Sequence, residues 1–259
     1  MPDIEIEHKG EVAWIRLNRE DRMNAFDAEM NRAIIEAVRD AAESGVIVLT
    51  GTGRAFCAGG YLAKLTSADP ADLRRMFYAS LDLFDTIRNS PRPVIAAVNG
   101  VAVGGGNELV VACDLAIAVE SASFGQAGVR IGSAPVLGGT NFLSMSIGEK
   151  RTKEVAFMCR RYSAKEALEM GWINTVVPDA QLGEEVAKWA DELLAMSPRY
   201  LEIAKISSNL WWNQSRDNYL SGLAMLVQAI GSEDMVEGAT AFMEKRKPQF
   251  PGRAKKTAE

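Results

Sequence analysis

Three stretches of this chain follow one plan. They are IVLTGTGRAFCAGG (47–60), VIAAVNGVAVGGG (94–106) and LAIAVESASFGQAG (115–128). Each has an apolar strand, a tight polar or glycine turn, a shorter strand and then glycines. Leu73, Phe77, Leu81 and Phe84 mark a helix after the first, and Leu109, Val110 and Cys113 mark one after the second. A chain that repeats β-β-α cannot bury any one unit alone, so its units must stack into successive layers. This predicts an α/β fold built as a stack of repeated β-β-α units.

The flanks fit that plan. IEIEH and VAWIRL lie on either side of Lys9-Gly10 and predict a hairpin. A helix is predicted from about Asp27, with Met30, Ile34, Ile35 and Val38 on one face. From about residue 138 the pattern is mostly helical. Ser163 and Glu166 form a capping box for a helix ending at Gly171, and WINTVVP predicts one more strand. Ser197-Pro198 opens a long helical stretch. Asp234 to Lys245 carries Met235, Val236, Ala239, Phe242 and Met243 on an apolar stripe, and the tail PGRAKKTAE is expected to fray. The expected division is a spiral core over 1–195 and a helical region over 196–259.

Composition narrows the function classes. A net charge of −5 argues against a general nucleic-acid binder. No apolar run has transmembrane length, and MPDIEIEHKG is no signal peptide. Cys57, Cys113 and Cys159 are odd in number and far apart, which suggests reduced thiols in a cytoplasmic protein. The one histidine, His8, is expected on a strand facing solvent. A histidine triad or a zinc site therefore has too few ligands, and no metal is expected.

The chemistry is expected in NGVAVGGGNEL (99–109). A strand that ends in glycines and leads into a helix leaves free N–H groups, and without Cβ atoms a ligand can approach them closely. Such a site suits an anion or a developing negative charge. There is no Lys-Ser, Lys-Thr or GxGxxG here, so this is no phosphate loop. An oxyanion hole remains, with N–H groups from this layer and from Gly59-Gly60, and with Glu108 placed beside it to move a proton. The same residues also suit close strand–helix packing and a carboxylate favoured by the helix dipole. Physics alone leaves both readings open.

FCAGG-x-L (56–62), NGVAVGGGNEL, CDLAIA (113–118) and FGQ (124–126) together resemble the crotonase superfamily, the enoyl-CoA hydratase/isomerase family. The similarity runs from LNREDRMNAF (17–26) to EGATAFMEKRKPQF (237–250). It implies a ClpP-like spiral with a C-terminal helical trimerisation region, and a homotrimer or dimer of trimers. It also implies an enzyme, most readily a lyase of fatty acid metabolism, whose substrate is a small-molecule acyl-CoA, with no nucleic acid, membrane or separate cofactor. By the resemblance, the N–H groups of Gly60 and Gly105 polarise the thioester oxygen, and Glu108 is the family's first catalytic glutamate. Asn24, Ala25 and Ala58 to Leu62, Tyr61 included, match its CoA-binding backbone. Phe242 and Lys245 match residues that in many members reach the adenosine of CoA in a neighbouring subunit.

The family's second glutamate corresponds to Gly128, so half of the acid–base pair is missing. FGQAGVRIGSAPVLGG (124–139) and CRRYSAKEALEMGWINTVVP (159–178) more closely resemble 1,4-dihydroxy-2-naphthoyl-CoA synthase and 2-ketocyclohexanecarboxyl-CoA hydrolase. In some of those synthases the glycine leaves room for a bicarbonate acting as base. Both branches carry an aspartate where this chain has Pro135, and both tend to lack the acid at Glu108. Ser133, Tyr61, Asn141, Tyr78 and Trp211 or Trp212 are further pocket candidates. The expected reaction is enoyl-CoA hydration. The alternatives are C–C bond formation or ring opening on a cyclic or β-keto acyl-CoA, and a CoA-ester binder without catalysis.

Overall fold

The computed structural model describes residues 3–61 and 69–251, with the side chains of 210–213 and 215–219 outside the description. The tail from 252 onward and Leu62 also lie outside the described residues.

The chain opens with β1 (Ile4–Lys9) and β2 (Val12–Leu17), an antiparallel hairpin that turns through Gly10 at φ +59°. His8 is exposed on β1. In α1 (Ala28–Asp40) the Asp27 carboxylate caps the helix by accepting from the N–H groups of Glu29 and Met30. Met30, Ile34, Ile35 and Val38 are buried, as the spacing predicts.

The three repeats are β3 (Val46–Gly51), β4 (Ala55–Cys57) and α2 (Pro70–Asn89); β5 (Val94–Val98), β6 (Val101–Val103) and α3 (Gly105–Ala112); then β7 (Leu115–Val119) and β8 (Ser123–Gly125). The turn inside each repeat sends its two strands to different sheets. After these come α4 (Leu143–Ile147), α5 (Glu149–Met158), β9 (Arg161–Ser163), α6 (Ala164–Met170), β10 (Thr175–Val177), α7 (Leu182–Leu194), α8 (Pro198–Ser208), α9 (Leu210–Gln228) and α10 (Glu233–Met243). The larger sheet runs β1-β2-β3-β5-β7-β10 and the smaller β4-β6-β8-β9. Within them β3, β5 and β7 pair in parallel, as do β4, β6 and β8. This is the layered β-β-α stack. Asn99 ties adjacent layers: its Oδ1 accepts from Gly51 N at 3.0 Å, and its Nδ2 donates to Gly53 O at 2.9 Å.

Every residue of β3 and β5 is buried, because the large sheet is covered on both faces. One face meets α1 and α2. On the other, Val46, Val48, Ile95 and Ile117 pack with Val186 and Ala190 of α7. The capping box at Ser163 and Glu166 is present, and Gly171 ends α6 at φ +80°. Trp172 and Ile173 of WINTVVP are buried ahead of β10, with the Trp172 ring centroid 5.7 Å from that of Phe124. All three cysteines are buried free thiols.

Two expectations about the C-terminal region change. The stretch after Pro198 is two helices, divided at Asn209. The Asn209 side chain donates to Arg88 O at 2.9 Å and accepts from Arg88 Nη1 at 3.2 Å. Nearby, Lys205 of α8 donates to Ile87 O and Arg92 O and pairs with Asp114 at 2.7 Å, which docks this region on the spiral. The apolar stripe over 234–245 is split. Met235 and Ala239 are buried, whereas Val236, Phe242 and Met243 are about half exposed.

Candidate active site

Glycine positions the site by bringing two layers into contact. Gly59 adopts φ +92°, and a Cβ there would stand 2.8 Å from Gly105 N and 2.9 Å from Val103 O. Gly104 adopts φ 56°, ψ −128°, which turns the chain from β6 into α3. The ends of β4 and β6 therefore abut backbone to backbone.

Gly60 and Gly105, on the two sides of this contact, line one space. Phe26 N donates to Gly59 O and Tyr61 N donates to Phe26 O, both at 2.9 Å. Gly60 lies between these two bonds in a parallel bridge with Phe26, and it lines a cavity. Gly105 is the first residue of α3, so its N–H has no intrahelical acceptor. It lines the same cavity, which has a volume of about 220 Å³.

Glu108, in the first turn of α3, lines this cavity and is only 5% exposed. Its Oε1 accepts from Leu137 N at 2.8 Å and from Gly139 N at 3.0 Å. Burial pushes the carboxyl up from 4.5 to about 7, and the two backbone donors oppose the rise. A carboxyl so poised gives and takes a proton near neutral pH. The rest of the wall is mostly apolar, with Phe26, Met76, Phe77, Ile131, Leu137 and Leu226.

The structure also gathers Ala58, Gly128, Ser133 and Phe242 around this cavity. Phe242 lines the cavity of its own chain. Lys245 is exposed and does not line it. Nor does Tyr61, whose ring lies under the Arg22 guanidinium at 4.6 Å. Asn141 and Tyr78 are away from the cavity, and Tyr78 lies in a surface groove between α1 and α2. Trp211 and Trp212 are on α9, with side chains outside the described residues.

Asn24 is fully buried and does not line the cavity. Its Oδ1 accepts from Arg19 N, and its Nδ2 donates to Thr52 O and Ala55 O. Its own N–H donates to Arg19 O, its carbonyl accepts from Cys57 Sγ, and it sits at φ +57°. Every polar group it has serves the loop. Ala25 donates to Arg22 O and does not line the cavity, whereas Met23 and Phe26 on either side do.

Gly128 lines the cavity together with Ser133, Ala134 and Pro135. A Cβ there would lie 3.1 Å from the Ala134 backbone and from Pro135 Cδ, so a side chain at this position would press on the segment after Ser133.

Sequence reasoning missed Gln126 as a site residue. It lines the cavity, is 3% exposed, and neither its Nε2 nor its Oε1 has a partner. The only sequence signal was its place in FGQ. The cradle made by Leu137 and Gly139 was missed too, because backbone donors leave no mark on residue type. Among the described residues no group of three or more His, Cys, Asp or Glu could hold a metal, and no helix is long and apolar enough to cross a membrane.

The family model for enoyl-CoA hydratase/isomerase matches residues 7–253. Solved structures agree over nearly the whole chain. An enoyl-CoA hydratase from Bacillus anthracis is 32% identical, covering 97% of this chain and 100% of that one, with a TM-score of 0.79. A carnitinyl-CoA hydratase from Mycobacterium avium is 30% identical, covering 97% and 99%, with a TM-score of 0.86. An enoyl-CoA hydratase from Mycobacterium avium subsp. paratuberculosis is 27% identical, covering 93% and 99%, with a TM-score of 0.85. With its stacked β-β-α layers and paired glycine ends, the chain belongs to the enoyl-CoA hydratase/isomerase family.

Proposed function

We propose that the protein adds water across the 2,3-double bond of an enoyl-CoA, with Glu108 as its acid–base carboxylate. One observation carries the reading: a buried carboxyl held near neutrality lines the same cavity as the uncommitted N–H groups of Gly60 and Gly105. Those two groups donate to the thioester oxygen. As water attacks C3, its proton passes to the Glu108 carboxylate, and the electron pair of the double bond moves into the enolate held by the two N–H groups. Glu108 then returns that proton to C2. Water is consumed, and its two hydrogens end on the new hydroxyl and on C2. Addition to one face lets a single carboxylate serve both carbons.

The acyl-CoA substrate and its single carboxylate also accommodate isomerisation, in which Glu108 would carry a proton between C2 and C4. Mass spectrometry of products from a panel of enoyl-, cyclic and β-keto acyl-CoAs separates the outcomes. Gain of one water supports the reading. An unchanged mass with a moved double bond supports isomerisation, ring opening or carbon–carbon bond formation supports those alternatives, and binding without turnover ends the enzymatic reading. Assembly as a homotrimer or dimer of trimers, which the resemblance implies, would have apolar side chains such as Phe157, Met196 and Ile206 to cover. The buried free thiols fit a reducing cytoplasm.

A further inference from the structure

Ser80, Gln126, Ser133 and Arg161 are polar side chains on the cavity wall that the mechanism above does not use, and of these Gln126 is the one with buried polar atoms that lack a partner. It follows β8 directly and lies within the wall that holds Glu108. Gly139 joins the two. Its N–H donates to Glu108 Oε1 at 3.0 Å, and a Cβ on it would stand 2.4 Å from Gln126 Nε2. The absent side chain of Gly139 is thus what lets the amide sit beside the carboxylate's cradle. Both ends of the amide are buried and unpartnered. Burying an amide without partners is unfavourable, and a leucine or methionine would fill the same volume without that penalty.

The chemistry of the amide limits what it can meet. Oε1 only accepts and Nε2 only donates. A carboxylate would leave Oε1 unpaired, and an apolar acyl chain would leave both ends unpaired. A water or a hydroxyl both donates and accepts, and so suits the pair. At position 128, where a second carboxylate would stand, the chain has glycine, with the Ala134–Pro135 backbone packed against it.

We propose that the Gln126 amide holds the water that is added, and the hydroxyl it becomes, beside Glu108. This rests on the hydratase reading above. Gln126 moves no proton. It orients the oxygen while Glu108 takes the hydrogen, and so supplies the positioning half of a second carboxylate's role.

The test compares native protein with Gln126→Leu, which keeps the volume and removes the amide, and with Gln126→Glu, which keeps an oxygen acceptor. Two rates are measured on protein with native circular dichroism. One is hydration of crotonyl-CoA. The other is exchange of the α-hydrogens of butyryl-CoA in D₂O, which needs Glu108 and the two N–H groups but no bound water. The ratio of hydration to exchange should fall by about tenfold or more in Gln126→Leu, through kcat rather than KM, and recover in part in Gln126→Glu. If the leucine variant does not fold, Gln126→Met replaces it. A native hydratase whose variant keeps the ratio overturns the role of Gln126 alone. A native protein that exchanges α-hydrogens but hydrates nothing overturns the hydratase reading, and the water-holding role with it.

Discussion

Replacing Glu108 by glutamine should stabilise the protein, and do so more strongly as pH rises. The carboxyl is raised from 4.5 to about 7, chiefly by burial. The folded state therefore binds this proton more tightly than the unfolded chain does. As pH climbs from about 4.5 through 7, the unfolded chain ionises first, and the folded state becomes progressively less favourable; the penalty levels off above 7. A shift of this size corresponds to about 3 kcal/mol at pH 8.5 and about 1 kcal/mol at pH 5. Glutamine carries no charge, and its Oε1 can still accept from Leu137 N and Gly139 N. For a chain of this length the gain in Tm should be about 6–12 °C at pH 8.5 and about 2–4 °C at pH 5. Scanning calorimetry of both proteins at the two pH values measures it, and activity should fall by about 10²–10⁴ at the same time. The packing reading predicts the opposite sign. A first-turn carboxylate that served only the helix dipole would lose about 0.3–1 kcal/mol on neutralisation. A variant less stable than native, or a gap equal at both pH values, refutes the account of Glu108.

The other predictions test the rest of the cavity. Because Glu108 must begin ionised, kcat/KM for hydration should rise with pH to a plateau with a midpoint near about 7, and a flat profile from pH 5 to 9 would contradict the assignment. A Cβ at Gly105 would lie 2.6 Å from Phe26 Cζ, so Gly105→Pro belongs in a Phe26→Leu background. There it should lower kcat by about 10²–10³ relative to Phe26→Leu alone, and an unchanged rate would remove Gly105 N–H from the oxyanion hole. Gly128→Ala should cost about 1–3 kcal/mol in urea unfolding, since Ala134 and Pro135 already stand 3.1 Å away. Bicarbonate at fixed pH and ionic strength should not change the native rate if Glu108 alone moves the proton, and stimulation would instead make an anion beside Gly128 the missing base.

Sequence pattern revealed most where the cause is local. The hairpin, the Asp27 cap, the capping box at Ser163 and the three strand–turn–strand layers each arise from residues close together in the chain. The split stripe on α10 shows the limit of periodicity. Val236, Phe242 and Met243 recur at helical spacing, but spacing says nothing about what covers a face. Asn24 shows the limit of motif matching. It sits in a stretch that matches a binding loop, yet its side chain closes that loop from inside by reaching Thr52 and Ala55. Gly128 reads as vacant room in a sequence, and only the fold shows that Ala134 and Pro135 bound that room closely. Gln126 was hidden for the related reason that an unpartnered amide is a property of its surroundings, here Gly139 and Pro135, rather than of its type.

A single carboxylate can serve as both base and acid only within a narrow range of basicity, and the fold sets that range with two opposed effects. Burial alone would drive Glu108 toward a permanently protonated acid that could not take a proton from water. Full backbone solvation of both oxygens would return it toward 4.5, where it would be too weak an acid to protonate the enolate carbon. Leu137 and Gly139 both donate to Oε1, which offsets part of the rise that burial causes. Both donors follow closely on Ala134 and Pro135, the residues that a Cβ at Gly128 would meet. A side chain at 128 that pushed this segment would therefore act on the poise of Glu108 as well.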